Sequence, residues 1–359
     1  MSIIVFQLHY PKVTRSAILR LLLKIKNQRV AVERSSRNFC FMSSPLKIGV
    51  IGTSAKALEC MRVIQADPSS MSLVGFFATE DSDLRTVMHE FGLMPFHHPE
   101  SLIESSDAVI LACAPDRVYE LARLALRSLK HVFVIGPPTL QAEHARECLK
   151  IIREARIVGH VWNPLVHTAE WQYILQRKAV PAFMQLQLSL ESTDSRAQRD
   201  GLSWINDIQL MLQLSEANAR RVSANGVWRM KKLDVCNTRI ELDNGCVADL
   251  TLQLDSDSPV HMLSLHTADA QFDIDFIQHV VVERSLDRQE MKWMRREHQF
   301  EKVNNLTLAL DAWRRDMDNN HHSGVSWHSA TRSLELSIQI MDKLNSHVLL
   351  QDPDVFMEP

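Results

Sequence analysis

Gly52, Thr53, Ser54, Ala55 and Ala57 lie between an apolar run and a helical repeat, a setting that suits the holding of a diphosphate. Ile48, Val50 and Ile51 read as a short buried strand, and Gly52 permits a tight turn after it. From Ala55 the pattern becomes helical, with Leu58, Met61, Ile64 and Gln65 at three- and four-residue spacing. The N-terminus of such a helix offers free N–H groups and a positive dipole end to an anion. Strand, glycine turn and helix together make the first unit of a dinucleotide-binding βαβ fold. The fingerprint G-x-G-x-x-G/A is partly kept: Gly52 fills the first position, Ala57 the third, and Ser54 replaces the second glycine. Serine adds a Cβ and a hydroxyl where backbone must approach the diphosphate. Two readings stay open, a dinucleotide site that tolerates Ser54 and a fold of the same shape that binds none.

Other residues that could do chemistry are scattered. His160 ends an apolar strand beside the expected cleft, either as an acid–base group or as a histidine bonded to backbone. Cys113 stands at the C-terminal end of another strand, where ligands of α/β sheets sit, but nothing near it in sequence would lower a thiol pKa. His97-His98 and His321-His322 lack acidic or cysteine partners at useful spacing, so no metal site is expected. Trp162, Trp171 and Trp204 could line a pocket or fill a core. Met291, Trp293 and Met294 with Arg295-Arg296 read as a solvated edge or an interface.

Around these stand the elements that must position them. Ser72–Ala78, Asp107–Cys113, His131–Ile135 and Arg156–Trp162 are apolar strands alternating with helices over Leu84–Phe91, Val118–Leu129 and Leu140–Ala155. Strands without a polar face belong to a parallel sheet covered on both sides. After Pro164 the pattern changes. Met184–Leu190 and Phe272–Phe276 alternate strictly, and Arg239–Leu242 and Asp249–Leu254 flank the hairpin signal Asn244-Gly245. That is an antiparallel sheet with one buried face. Helices over Leu202–Leu214 and Ser329–Leu344 cover it.

The chain has 359 residues, 45% of them hydrophobic and 23% charged, enough for two domains with their own cores. Its net charge of −3 is unevenly spread. Residues 1–41 carry eight Lys/Arg and one acid, Glu33, which leaves 32 basic against 42 acidic residues in the rest. An acidic body argues against a nucleic-acid surface. No apolar run nears the length of a membrane span. Six cysteines form no C-x-x-C pair and lie mostly in apolar elements, as thiols do in a reducing compartment.

The layout resembles the glucose–fructose oxidoreductase, inositol dehydrogenase and MocA (Gfo/Idh/MocA) family over about residues 46–346. The resemblance rests on Ile48–Ala57, Ala112-Cys113-Ala114-Pro115-Asp116, His131–Pro137, Val158-Gly159-His160 and the hairpin Arg239–Leu254. It implies NAD or NADP and a hydride moved to or from a sugar or polyol carbon. It also implies a lysine in a Glu-Lys-Pro strand end, a His four residues after an Asp on one helix, and an acid ending the second strand. Here Ile135-Gly136-Pro137 puts Gly136 at the lysine position, Asp200–Trp204 keeps the Asp but replaces the His, and Thr79 stands at the acid, with Glu80 beside it. Neither Gly136 nor Trp204 can take a proton, and a positioned acid–base group supplies about 10²–10⁴ in rate.

The expected fold is α/β: an N-terminal Rossmann-like doubly wound parallel sheet, plus a C-terminal α+β domain with an open, mostly antiparallel sheet. Expected boundaries are a basic, disordered extension over 1–41, a dinucleotide domain over 42–162, a substrate and dimerisation domain over 163–347 and a tail over 348–359. Gly52, Thr53, Ser54, Ala55, Ala57, Thr79, Cys113, Ala114, Pro115, Gly136 and Pro137 are expected to hold NAD or NADP weakly, and Asp200, kept from the family pattern, and His160, at the strand end, are the candidate catalytic residues. The function expected is that of an NAD(P)-binding, cytoplasmic homo-oligomer with a lost or altered hydride-transfer site, acting on a sugar-like ligand as sensor, scaffold or partner subunit. The alternative is an active oxidoreductase on a sugar, polyol or sugar nucleotide, using substitute acid–base groups.

Overall fold

Continuous apolar runs in the first half build one parallel sheet. The computed structural model describes residues 45–79, 84–190, 204–229, 232–254, 256–319 and 326–351, all within one compact unit, Pro45–Pro359. Strands β1 (Leu46–Ile51), β2 (Met71–Phe77), β3 (Ala108–Leu111), β4 (His131–Ile135) and β5 (Gly159–Trp162) lie in the order β2-β1-β3-β4-β5, all parallel. All four residues of β3 are buried, as the lack of a polar face requires. Helices α1 (Ala55–Ala66), α2 (Leu84–Phe91), α3 (Pro99–Ser105), α4 (Pro115–Arg127) and α5 (Ala142–Ala155) follow in turn. Ala57, Cys60, Met61 and Ile64 of α1 share a core with one face of the sheet; Leu102, Val118, Leu126, Cys148 and Ile152 pack on the other.

The second half forms an eight-stranded sheet. Its strands are β6 (Phe183–Ser189), β7 (Ala219–Arg229), β8 (Lys232–Leu242), β9 (Val247–Gln253), β10 (Val260–His266), β11 (Ala270–Asp275), β12 (Val280–Asp287) and β13 (Lys292–Gln299), in the order β13-β12-β11-β10-β6-β9-β8-β7. Every pairing is antiparallel except β6 with β9. In β6, Met184, Leu186 and Leu188 face the core while Gln185 and Gln187 are exposed. Asn244-Gly245 turns the β8–β9 hairpin: Gly245 has φ +88° and the Asn244 Oδ1 accepts the Cys246 N–H at 3.0 Å. Helices α6 (Ala169–Arg177), α7 (Ile205–Ser215), α8 (Asn305–Asn319) and α9 (Trp327–Gln351) complete the described chain. Trp171 and Ile174 of α6, Ile208 and Met211 of α7, and Leu336, Ile340 and Leu344 of α9 fill the core under this sheet. Helix α8 instead gives Leu306, Leu310 and Trp313 to the core beneath α1.

Both sheets agree with expectation. Strands β7, β10, β12 and β13 and helices α3, α6 and α8 go beyond the sequence reading. β13 is exposed at seven of its eight residues, so its pairing with β12, rather than burial, makes it a strand. The final helix extends past the expected Ser329–Leu344 at both ends.

Candidate functional site

In the parallel sheet the strand order reverses between β1 and β3, and the crevice beyond their C-terminal ends is where such sheets take ligands. Gly52 bridges that crevice. Its N–H donates to the Phe77 carbonyl at 2.8 Å, its φ is +119°, and a Cβ there would lie 2.2 Å from the Ala112 carbonyl oxygen. No residue but glycine fits, so the first fingerprint position is fixed by steric contact between two strand ends.

Ser54 caps α1. Its φ of −62° and ψ of 162° are extended values that any residue adopts. The hydroxyl accepts the Ala57 N–H at 3.3 Å and donates to the Ala112 carbonyl at 3.0 Å. Serine at the second position thus ties the helix start to the end of β3. Ala55 and Lys56 are exposed beside it, and no acid stands in the first turn to compete for the dipole. Thr53 and Thr79 are half-buried near the ends of β1 and β2. Cys113 and Ala114 are half-buried after β3, and Pro115 opens α4, whose N-cap Ala114 offers no side-chain cap. Gly136, with φ +108°, has nothing within 4 Å of where a Cβ would be, and Pro137 beside it is half-buried. The lysine position therefore opens onto free space.

His160 is 1% exposed, with Nε2 2.9 Å from Asp316 Oδ2 on α8. This pair fastens α8 to the edge strand β5. Trp204 is fully buried at the N-cap of α7, within the core of the second sheet. Asp200 and Glu80 lie outside the described residues.

Several polar residues at the domain junction carry no sequence signal. Asn163, fully buried just past β5, donates to the Asn206 carbonyl at 2.9 Å and to Gln209 Oε1 at 3.1 Å. Gln209 in turn donates to Ser329 Oγ at 2.8 Å. Lys56 bonds Glu59 at 2.6 Å, and its Nζ lies 5.1 Å from the centre of the Trp162 ring. His261 on β10 places Nε2 2.7 Å from Asp207 Oδ1 in the first turn of α7. The His167 imidazole is held below its usual pKa by burial, with His160 and Arg315 adding to the effect. Burial pushes the Cys60, Cys148 and Cys236 thiols up to about 12, which removes them as nucleophiles. Among the described residues no His, Cys, Asp and Glu cluster could hold a metal ion, and no helix is long and apolar enough to cross a membrane.

The glycine clamp and the open helix start fit a dinucleotide diphosphate. Residues 46–161 match the model of the Gfo/Idh/MocA oxidoreductase family, NAD-binding Rossmann fold. Over 218 residues the chain is 25% identical to UDP-N-acetylglucosamine 3-dehydrogenase of Acidithiobacillus ferrooxidans, spanning 58% of this chain and 68% of that one.

Over residues 46–161 the chain resembles the Gfo/Idh/MocA oxidoreductase family.

A crystal form of that same dehydrogenase superposes with a TM-score of 0.76 at 18% identity, covering 84% of this chain and 98% of the other. Biliverdin reductase from Synechocystis, solved with biliverdin and NADP+, gives 0.70 at 16% identity over 84% and 99% of the two chains. Apo scyllo-inositol dehydrogenase from Lactobacillus casei gives 0.70 at 14% over 86% and 98%. The shared fold is a Rossmann-like parallel sheet followed by a mostly antiparallel sheet.

Proposed function

We propose that this protein binds NAD or NADP across the β1/β3 crevice and acts on a sugar-like substrate, a sugar nucleotide foremost, through a hydride-transfer site altered at its proton-handling end. The Gly52 clamp on Ala112 carries the reading, because it is the contact that lets a backbone turn lie flat under a diphosphate. Gly52, Thr53, Ser54, Ala55 and Ala57 would hold the diphosphate, and Thr79 the adenosine ribose. Cys113, Ala114, Pro115, Gly136 and Pro137 would border the nicotinamide half. When bound, the nicotinamide supplies a two-electron acceptor or donor. Residues 42–162 form the dinucleotide domain in this reading and 163–347 the substrate domain. The resemblance to UDP-N-acetylglucosamine 3-dehydrogenase supports the substrate class. The open, polar face of the eight-stranded sheet, with Arg239–Asp249 and Asp273–Arg284 pairs across it, supports a homo-oligomer. Buried cysteines suit a reducing compartment such as the cytoplasm.

A second reading, a cofactor-binding sensor, scaffold or partner subunit without turnover, draws support from Gly136 and from the burial of Trp204. Titrating NAD+, NADH, NADP+ and NADPH while following protein fluorescence tests the cofactor claim. Following nicotinamide absorbance with UDP-N-acetylglucosamine and a sugar and polyol panel separates the two readings. Absence of binding by all four nicotinamide forms would overturn both.

A further inference from the structure

Alcohol oxidation needs a lone pair beside the reacting hydroxyl. Gly136 and Trp204 provide none. His160 is sealed against Asp316, and Lys56 is an ammonium tied to Glu59. His167 Nε2 is buried without a hydrogen-bond partner among the described residues, shut away from solvent. A different imidazole meets the requirements.

We infer that Asp207 and His261 form the proton-handling dyad of the altered site, with His261 Nδ1 as the base that takes the substrate proton; this rests on the oxidoreductase reading above. Placement comes from the sheet register. Ile135 of β4 pairs with Trp162 of β5, so Gly136 and Asn163 are the next residues along neighbouring strands. The Asn163 amide holds the Asn206 carbonyl at 2.9 Å, which seats the first turn of α7 against the strand end that borders Gly136. Asp207 is the next residue, and His261 is its partner.

The dyad has the chemistry of a base. The Asp207 side chain is 4% exposed and that of His261 20%. A carboxylate can only accept from a neutral imidazole, so Nε2 carries the proton and Nδ1 the lone pair. Nδ1 has no hydrogen-bond partner among the described residues. The ring packs on Phe276, centroids 4.8 Å apart, and the Phe276 N–H donates to the His261 carbonyl at 3.0 Å. Of the elements packed around it, α7 presents Asp207 and β11 presents Asp275, while β6 sets the apolar Leu188 opposite it. Burial works to lower the His261 pKa, but the Asp207 carboxylate, with Asp275 behind it, outweighs burial and holds it above the ordinary value.

In the oxidative direction a bound oxidised nicotinamide would accept the hydride, with both electrons, as the carbinol C–H bond breaks. The O–H bond breaks, its proton goes to His261 Nδ1, and C=O forms. The imidazolium then returns the proton to water. His261 would touch substrate, and Asp207 is a positioning residue that fixes the tautomer.

The test uses the full chain with UDP-N-acetylglucosamine and NAD+ or NADP+. His261→Gln should lower kcat about 100-fold or more and leave the Kd for NADH within about threefold. Asp207→Asn should move the acidic limb of the pH–rate profile to lower pH, which a merely structural role would not do. A kcat for His261→Gln within about threefold of wild type, or an unmoved limb, would overturn the dyad. An independent reading follows the His261 ring protons by NMR as UDP-N-acetylglucosamine is added, with and without NADH. The resonance should shift and its titration move; no response to the sugar nucleotide overturns the dyad even in a protein without turnover. If none of the four nicotinamide forms binds, the oxidoreductase reading fails, while the sugar-nucleotide titration still reads the dyad by itself.

Discussion

Gly52 and Gly136 share a positive φ, +119° and +108°, yet make opposite demands on space. A Cβ at Gly52 would strike the Ala112 backbone, and one at Gly136 would meet nothing. Gly52→Ala should therefore cost about 2–4 kcal/mol, strain plus a backbone clash, and abolish NADH binding. Gly136→Ala should cost about 1–2 kcal/mol from backbone strain alone. Urea unfolding of both variants checks this; equal losses would mean that the β1/β3 contact relaxes freely. His160 makes a second contrast at this scale. Replacing it by Phe removes the Asp316 partner and should cost about 1–3 kcal/mol, without moving the pH–rate limb assigned to His261. A limb that moved in His160→Phe would shift the base to β5.

Elements carry their own pH dependence. His131 opens β4, and its Nδ1 accepts the Val158 N–H at 2.9 Å just before β5. Burial pushes this imidazole below its ordinary value, against a weaker pull upward from Asp107. The folded state thus resists a proton that the unfolded chain accepts near pH 6.5. The resulting stability is fully present above about pH 6.5 and is lost as pH falls through the lower folded value. Calorimetry from pH 7 to 5 should show a steeper fall in Tm for the wild type than for His131→Asn, which keeps an acceptor but does not titrate. Parallel curves would refute the assignment. Helix α1 has a simpler dependence: Ser54→Ala loses the cap and should cost about 1 kcal/mol.

At the scale of the whole molecule, α9 joins the two sheets. Trp327 at its start is fully buried in the core under the parallel sheet, and its Nε1 donates to the Ala145 carbonyl at 3.1 Å. Further along, Leu336, Ile340 and Leu344 sit in the core of the other sheet. One helix shared by two cores should make unfolding a single transition. Trp327→Ala should cost about 3–5 kcal/mol and lower the Tm of that one transition. Two separate calorimetric peaks in the wild type would show that α9 does not couple the domains.

Strand and helix periods up to Trp162, the Asn244-Gly245 turn and the glycine after β1 follow from local rules, because each is set by neighbours within a few residues. Sequence alone therefore determined the parallel sheet, the antiparallel sheet and the glycine turn after β1. It also identified the vacancy at Gly136, because that position is read directly from Ile135-Gly136-Pro137. Ser54 reads from sequence as an obstacle; the structure makes it a cap, because its hydroxyl meets a carbonyl 58 residues away. Trp204, a helix-face residue in the sequence, is core, and His160, at a strand end, is locked to a helix 156 residues later. Asp207 and His261 are 54 residues apart with no motif between them. Strand pairing brings them together, and only the register of β10 on β6, under α7, decides that they meet.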